Sequence, residues 1–242
     1  MFRHKAILII HGLAGGTYDE EYLANYLELK RDYDVFSFTL PGHDVKDRRK
    51  ATCEEWMSAS EKQINYLIKH NYKKIYLVGH SMGGVIATHL AKEHKEVKKL
   101  VLVAAAFTSF ASKEEGGVFN ALVKIPDLIK TYSYNELMTR LNKLPIISAE
   151  KEFFELIEKY KDDINDINIP TMFVHGKSNQ MVPASSSEKL YENMTNNKKK
   201  LLLIDNYYHD VFKGEKVEDI CFEIKKFLKT YNFRIKDEKI EL

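Results

Sequence analysis

Six short apolar runs, each continuous rather than alternating, limit most strongly what this chain can fold into. They are AILII (Ala6 to Ile10), DVFSFTL (Asp34 to Leu40), KIYLVG (Lys74 to Gly79), KLVLVAAA (Lys99 to Ala106), TMFVHG (Thr171 to Gly176) and KLLLI (Lys200 to Ile204). Continuous runs rich in β-branched and aromatic residues suit strands covered on both faces, as in a parallel sheet. Helical segments are predicted between them, over about 19–29, 52–71, 82–93, 186–194 and 217–231. The second opens on Thr52 and Glu55 at the spacing of a capping box. Strands alternating with helices give right-handed βαβ units, hence an α/β, doubly wound, mainly parallel sheet of about six strands. A chain of 242 residues, 44% apolar, is long enough for one large domain with a substantial core.

One connection breaks the rhythm. The interval between Ala106 and Thr171 is too long for a structureless loop, and it contains the helical patches FNALVKIPDLIKTY, ELMTRLNKL and KEFFELIEKY. An inserted helical cap is expected over 107–168, with the core formed by 1–106 and 169–242. Most of the cap's apolar residues, among them Phe119, Leu122, Val123 and Ile125, are expected to pack it on the body, and a few to line a pocket.

The chemistry concentrates in three places. GHSMGG, Gly79 to Gly84, stands between the strand KIYLV and the helix MGGVIATHLA. A serine at the tip of a sharp strand-to-helix turn exposes its Oγ, and close packing there favours glycine two residues before and after it. Ser81 is therefore the candidate nucleophile. The helix N-terminus beyond it offers free N–H groups and a positive dipole end to a developing oxyanion. HGLAGG, His11 to Gly16, follows the first strand, where glycines allow close backbone approach. The backbone N–H groups of Leu13 and Met82 are the candidate oxyanion donors, and His11 is expected to be a structural hydrogen-bonder. His209, in LLLIDNYYHDVF after the last apolar run, is the candidate base, since the base follows the acid in chain order in this arrangement. Its competitors are terminal (His4), in a turn (His43), at a strand end (His175), in the variable position of the serine turn (His80), or on helices without metal-ligand spacing (His70, His89, His94).

Several functions are disfavoured. Lys+Arg 37 against Asp+Glu 35 gives a formal charge of +2, and the largest basic cluster, Lys198 to Lys200, reads as a solvated loop. No basic face argues for nucleic acid. Two distant cysteines, Cys53 and Cys221, form no disulfide framework or zinc spacing. The N-terminal apolar run reads as a strand rather than a signal peptide, and no run is long enough to span a bilayer. A cytoplasmic monomer or homodimer with no stable membrane anchor is expected.

With HG-x-x-G at His11, LPGH at Leu40, GHSMGG at Gly79, G-x-x-x-x-x-VP at Gly176 and the late His209, the sequence resembles the α/β-hydrolase superfamily over nearly its whole length. Within it, the chain is most similar to small bacterial carboxylesterases and monoacylglycerol lipases. The resemblance implies a core lacking the family's N-terminal antiparallel hairpin, with a helical cap. It also implies Ser81 as nucleophile, His209 as general base, Leu13 and Met82 as oxyanion donors, and no cofactor or metal. The substrate would be a small-molecule ester of short to medium acyl chain or a monoacylglycerol, and a thioesterase or amidase would use the same parts.

The loop GKSNQMVP, Gly176 to Pro183, departs from the family. Where relatives carry the triad aspartate, this chain has Asn179. Three readings stand: a Ser-His-Asn triad, an introduced replacement of Asp, or an acid located elsewhere, with Asp205 and Asp210 as candidates. The amide also leaves room for a rival class, a binding or regulatory protein on a hydrolase scaffold.

Overall fold

The computed structural model describes residues 5–29, 32–44, 49–107, 146–179 and 181–242. The strands are β1 (Lys5–Ile10), β2 (Asp34–Ser37), β3 (Lys74–His80), β4 (Val97–Val103), β5 (Thr171–Gly176), β6 (Lys199–Ile204) and β7 (Glu238–Glu241). The helices are α1 (Glu21–Glu28), α2 (Cys53–Lys69), α3 (Met82–Glu93), α4 (Ile146–Tyr160), α5 (Ala184–Asn193) and α6 (Val217–Lys229). One seven-stranded sheet runs in the order β2-β1-β3-β4-β5-β6-β7, and every pairing in it is parallel.

The continuous apolar runs have the expected cause. Successive residues of a strand point to opposite faces, and here both faces are covered. Leu8, Leu77, Leu102, Phe173 and Leu201 pack into one cluster with residues of α2, α3 and α4. Ile7, Val78, Val101, Val174 and Leu202 pack into the other with residues of α1 and α6. A lysine interrupts the pattern without disrupting it. Lys99 on β4 is buried, and its Nζ donates to the carbonyls of Phe227 (2.7 Å), Leu228 (2.9 Å) and Thr230. It thereby satisfies carbonyls that the end of α6 leaves free.

The predicted elements recur with small shifts at their ends. Thr52 and Glu55 do form a capping box at the start of α2. The sheet has one strand more than expected: β7 reads EKIE and lies on the edge beside β6. An edge strand largely open to solvent has no continuous apolar run to announce it. Within the segment read as a cap, α4 is described, and Phe153, Leu156 and Ile157 join the core cluster with α2 and α3. The patches FNALVKIPDLIKTY and ELMTRLNKL lie outside the described residues, as do Phe119, Leu122, Val123 and Ile125. Among the described residues, no helix is long and apolar enough to cross a membrane.

The topology decides where a site can form. The chain leaves β1 toward β2 on one side and then returns to β3 on the other, so the loops after β1 and β3 diverge at a switch point. In open parallel sheets ligands bind at the carboxyl ends of strands at such a point.

Candidate active site

The loops after β1, β3, β5 and β6 all leave the carboxyl edge of the sheet, and with Met82 at the start of α3 they carry the candidate catalytic and oxyanion residues. Ile10 and Gly79 are register partners on adjacent strands, so the loop opening at His11 and the turn at Ser81 start side by side.

Ser81 joins β3 to α3 with φ 53° and ψ −119°. A non-glycine residue there is strained, and such strain is held only where the surroundings determine it. Ser81 N–H donates to Val103 O (2.9 Å), while its carbonyl accepts from Gly84 N–H (3.0 Å) and Ala106 N–H (3.2 Å). The flanking glycines are steric necessities. A Cβ on Gly79 would lie 2.4 Å from Gly83 O, and one on Gly83 would lie 2.2 Å from Ile10 O. A Cβ on Gly12 would lie 2.9 Å from Ser81 Cβ and 3.6 Å from its Oγ, so the loop after β1 passes directly against the serine.

That loop is fixed by His11, as expected. Leu40 N–H donates to His11 Nε2 (2.9 Å), which leaves the ring proton on Nδ1 to donate to Gly12 O (2.8 Å). Leu13, next in the chain, and Met82, the first residue of α3, donate no backbone hydrogen bond among the described residues. Two unspent N–H groups thus occupy the two turns that meet at the serine.

His209 is buried, and the segment before it runs against the loop after β5. Ser178 N–H donates to Tyr207 O (2.9 Å), and a Cβ on Gly176 would come within 2.3 Å of that same oxygen. Glycine at the end of β5 is what lets the two loops meet. Asn179, also buried, faces His209 from there. Its Oδ1 accepts from the backbone N–H of Met181 and Val182, both at 3.0 Å. These two donors fix the orientation of the amide, which turns its Nδ2 toward His209 Nδ1 at 3.1 Å. An NH₂ group can only donate, so His209 Nδ1 must accept and its ring proton sits on Nε2.

Nδ2 has a second neighbour, His175 Nε2, at 3.1 Å. His175 donates through that nitrogen to Val182 O (2.8 Å), and its Nδ1 accepts from Ser187 Oγ (2.7 Å). Burial drives the His175 pKa down to about 4. This neutral ring therefore presents a donor to another donor. On its His175 side, the place occupied by Nδ2 offers the donor that a carboxylate oxygen would accept.

The alternative acids point elsewhere. Asp205 is exposed and pairs with Lys177 Nζ at 2.9 Å. Asp210 is buried, accepts from Phe212 N–H (3.3 Å) and lies 3.2 Å from Lys213 Nζ.

A buried pair that the sequence reading passed over stands behind the serine. His80 Nδ1 meets Glu20 Oε1 at 2.7 Å, and its Nε2 meets the carbonyl of His209 at 3.2 Å. Burial pushes the Glu20 carboxyl up to about 7. Burial would lower His80, but the hydrogen bond and charge of Glu20, together with the charges of Asp210 and Asp19, outweigh it, and the imidazole titrates above its ordinary value. No motif marks them: Glu20 is an acid near a helix start, and His80 is the unconstrained position of G-x-S-x-G.

Among the described residues, one grouping has potential metal-ligand geometry, Cys53 with Glu54 and Glu155. Both carboxylates are exposed, and burial drives the Cys53 thiol up to about 12, which keeps it protonated and a poor ligand.

A family model described as alpha/beta hydrolase fold matches residues 5–122, and one described as serine aminopeptidase, S33, matches residues 109–216. The thermostable monoacylglycerol lipase of Bacillus sp. (strain H-257) is 24% identical over 209 residues, 84% of this chain and 82% of its own. The carboxylesterase of Bacillus subtilis (strain 168) is 23% identical over 237 residues, 95% of this chain and 94% of its own. Among solved structures, the monoacylglycerol lipase of Paleococcus ferrophilus superposes with a TM-score of 0.68 at 20% identity, covering 92% of this chain and 93% of that one. At that identity the likeness is one of fold.

Proposed function

The chain belongs to the α/β-hydrolase superfamily, and within it we propose a serine hydrolase of carboxylic esters whose triad is weakened by an amide in the acid position. Ser81 Oγ attacks the ester carbonyl, and its proton passes to His209 Nε2. The N–H groups of Leu13 and Met82 receive the oxyanion. His209 returns the proton to the departing alcohol, and water then cleaves the acyl-enzyme by the same route.

The observation that carries the reading is the strained backbone of Ser81, φ 53° at a strand-to-helix turn, with Gly12 against its side chain. Folding has no evident need of that conformation, whereas a nucleophile does. The relatives named monoacylglycerol lipase and carboxylesterase support the ester as substrate, and the segment 107–168 is proposed as a cap that selects the acyl chain. Asn179 stands in the acid's place with its NH₂ toward Nδ1. Attack requires Nε2 to be free, which moves the ring proton to Nδ1 and sets it against the amide. The third member therefore opposes the reactive tautomer, and turnover is expected to be slow rather than absent.

Fluorophosphonate labelling followed by intact-mass measurement tests this without assuming a substrate. One adduct on the wild type and none on Ser81→Ala is expected. Equal labelling of both proteins removes Ser81 from the role. No labelling of either, with no hydrolysis of p-nitrophenyl esters from C2 to C12, favours a binding protein on a hydrolase scaffold.

A further inference from the structure

His80 takes no part in the reaction proposed above, yet it is buried and both its ring nitrogens are engaged. Its partners are telling. Glu20 closes the loop that begins at His11 and carries Leu13. That loop is braced along its length: Gly15 N–H donates to Gly12 O (3.1 Å), Asp19 N–H to Gly16 O (3.1 Å), and Gly16 N–H to Asp19 Oδ2 (3.2 Å). His80 itself is the residue before Ser81. Its other partner is the backbone of His209. One chain of hydrogen bonds, Glu20 to His80 to His209, therefore connects the three loops that bear the donors, the nucleophile and the base.

The arrangement is costly. Both side chains are almost fully buried, and Glu20 Oε2 has no hydrogen-bond partner among the described residues. Taking a carboxylate and an imidazolium out of water costs several kcal/mol per ion before their attraction returns any of it. An apolar pair would fill the same space, and two clusters of well-packed aliphatic residues already flank this sheet. What an apolar pair could not do is donate to the His209 carbonyl. The rings of His80 and His209 also lie face to face at a tilt, with centroids 5.0 Å apart, and Phe212 meets His80 edge-on at 6.5 Å. The His209 carbonyl is thereby held by His80, and the turn that follows it is closed by Phe212 N–H donating to Asp210 Oδ1.

We propose that Glu20 and His80 are a positioning pair, a buried tie that keeps the loop of Leu13, the turn of Ser81 and the loop of His209 in one register through turnover. The inference rests on the reading of Ser81 and His209 as nucleophile and base. In this chain the tie carries extra weight, because Asn179 supplies no charge to hold the His209 ring. His80 holds the base by its backbone instead.

The test measures p-nitrophenyl ester turnover and the fluorophosphonate labelling rate for the wild type, Glu20→Gln, His80→Phe and the double variant, with thermal melting alongside. Each single variant is expected to lose about 10- to 10²-fold in kcat and labelling rate while KM stays within about twofold, the signature of a misplaced base. The double variant should lose no more than the worse single one, since groups acting as a unit are not additive. Folded variants with the wild-type kcat overturn the proposal, as do single losses that multiply in the double variant. Glu20→Gln changes one atom of a terminal group, so its kcat decides the matter should His80→Phe not fold. A wild type that neither labels nor hydrolyses shows instead that the reading of Ser81 has failed, and the pair then has no reaction to serve.

Discussion

The amide nitrogen of Asn179 lies 3.1 Å from Nδ1 of His209, and it is the donor end of the amide that points there. The direction is settled at the other end, where Oδ1 takes two backbone N–H groups. A flip of the amide would break both bonds and place N–H against N–H. In the serine-protease triad, replacing the acid by its amide costs about 10⁴ in kcat by favouring the wrong tautomer. On the proposed assignment of Asn179 to the acid's place, the same exchange can be run in reverse.

Asn179→Asp should activate the enzyme. One carboxylate oxygen inherits the two backbone donors, and the other receives Nδ1–H of His209 and faces Nε2–H of His175. The charge stabilises the imidazolium formed in the transition state, while ester binding is unaffected. The gain is expected in kcat and kcat/KM together at nearly constant KM, up to about 10³–10⁴-fold. Steady-state kinetics of p-nitrophenyl butyrate check it. An unchanged kcat, combined with loss of turnover in Asp205→Asn or Asp210→Asn, would move the acid elsewhere.

Much of this was legible in the sequence, for identifiable reasons. A strand buried on both faces writes itself as a continuous apolar run, and the Ser81 turn writes itself as glycines because backbone atoms crowd Gly79 and Gly83. β7 was not legible, since an edge strand of sequence EKIE obeys no burial pattern. The Glu20–His80 pair was invisible because it joins residues sixty positions apart, and only the fold brings them together. The identity of residue 179 was plain, but which end of its amide meets His209 depends on two N–H groups that no sequence displays.

Gly12→Ala should damage catalysis more than stability. The added methyl would lie 2.9 Å from Ser81 Cβ, closer than such atoms approach, so either the serine or the loop carrying Leu13 must shift. Either movement disturbs the alignment of the proposed nucleophile with the proposed oxyanion donors. A displacement of about 1 Å in such a site can cost about 10²-fold in rate. The expected result is a kcat lowered by about 10- to 10²-fold with a melting temperature changed by only a few degrees. Wild-type kcat in Gly12→Ala would show that the loop does not set the geometry at Ser81.

Lys99→Met should do the opposite. The ammonium satisfies three carbonyls at the end of α6, and burial pulls its pKa down to about 7 while those acceptors favour the charge. Methionine keeps the apolar stem and leaves the carbonyls unpaired. A loss on the order of 3 kcal/mol is expected, with kcat and KM of the folded protein unchanged. Urea unfolding monitored by Trp56 fluorescence, alongside kinetics, reads both quantities. A kcat that falls with stability intact would give Lys99 a part in catalysis.

His175 should make the fold sensitive to acid. Burial holds its pKa at about 4 in the folded protein, against an ordinary 6.5. The folded ring stays neutral between those values, while the unfolded one takes up a proton. The group's stabilising contribution is therefore complete above about 6.5 and declines as pH falls toward 4. A difference of this size corresponds to on the order of 3 kcal/mol. Glu20 and His80 titrate above their ordinary values, so their contribution changes in the opposite sense, and the wild-type profile alone would mix the two. The difference between the wild type and His175→Gln isolates the first. Glutamine can donate to Val182 O and accept from Ser187, and it does not titrate, whereas the groups facing His175 (Asn179, Ser187, Val182 and the more distant His80) are retained. Urea unfolding at pH 7.5, 6, 5 and 4 should show the wild type's advantage over His175→Gln shrinking steadily below about 6.5. An advantage that stays constant across that range would mean that His175 is charged in the folded state, and the donor it presents to Asn179 would need to be reassigned.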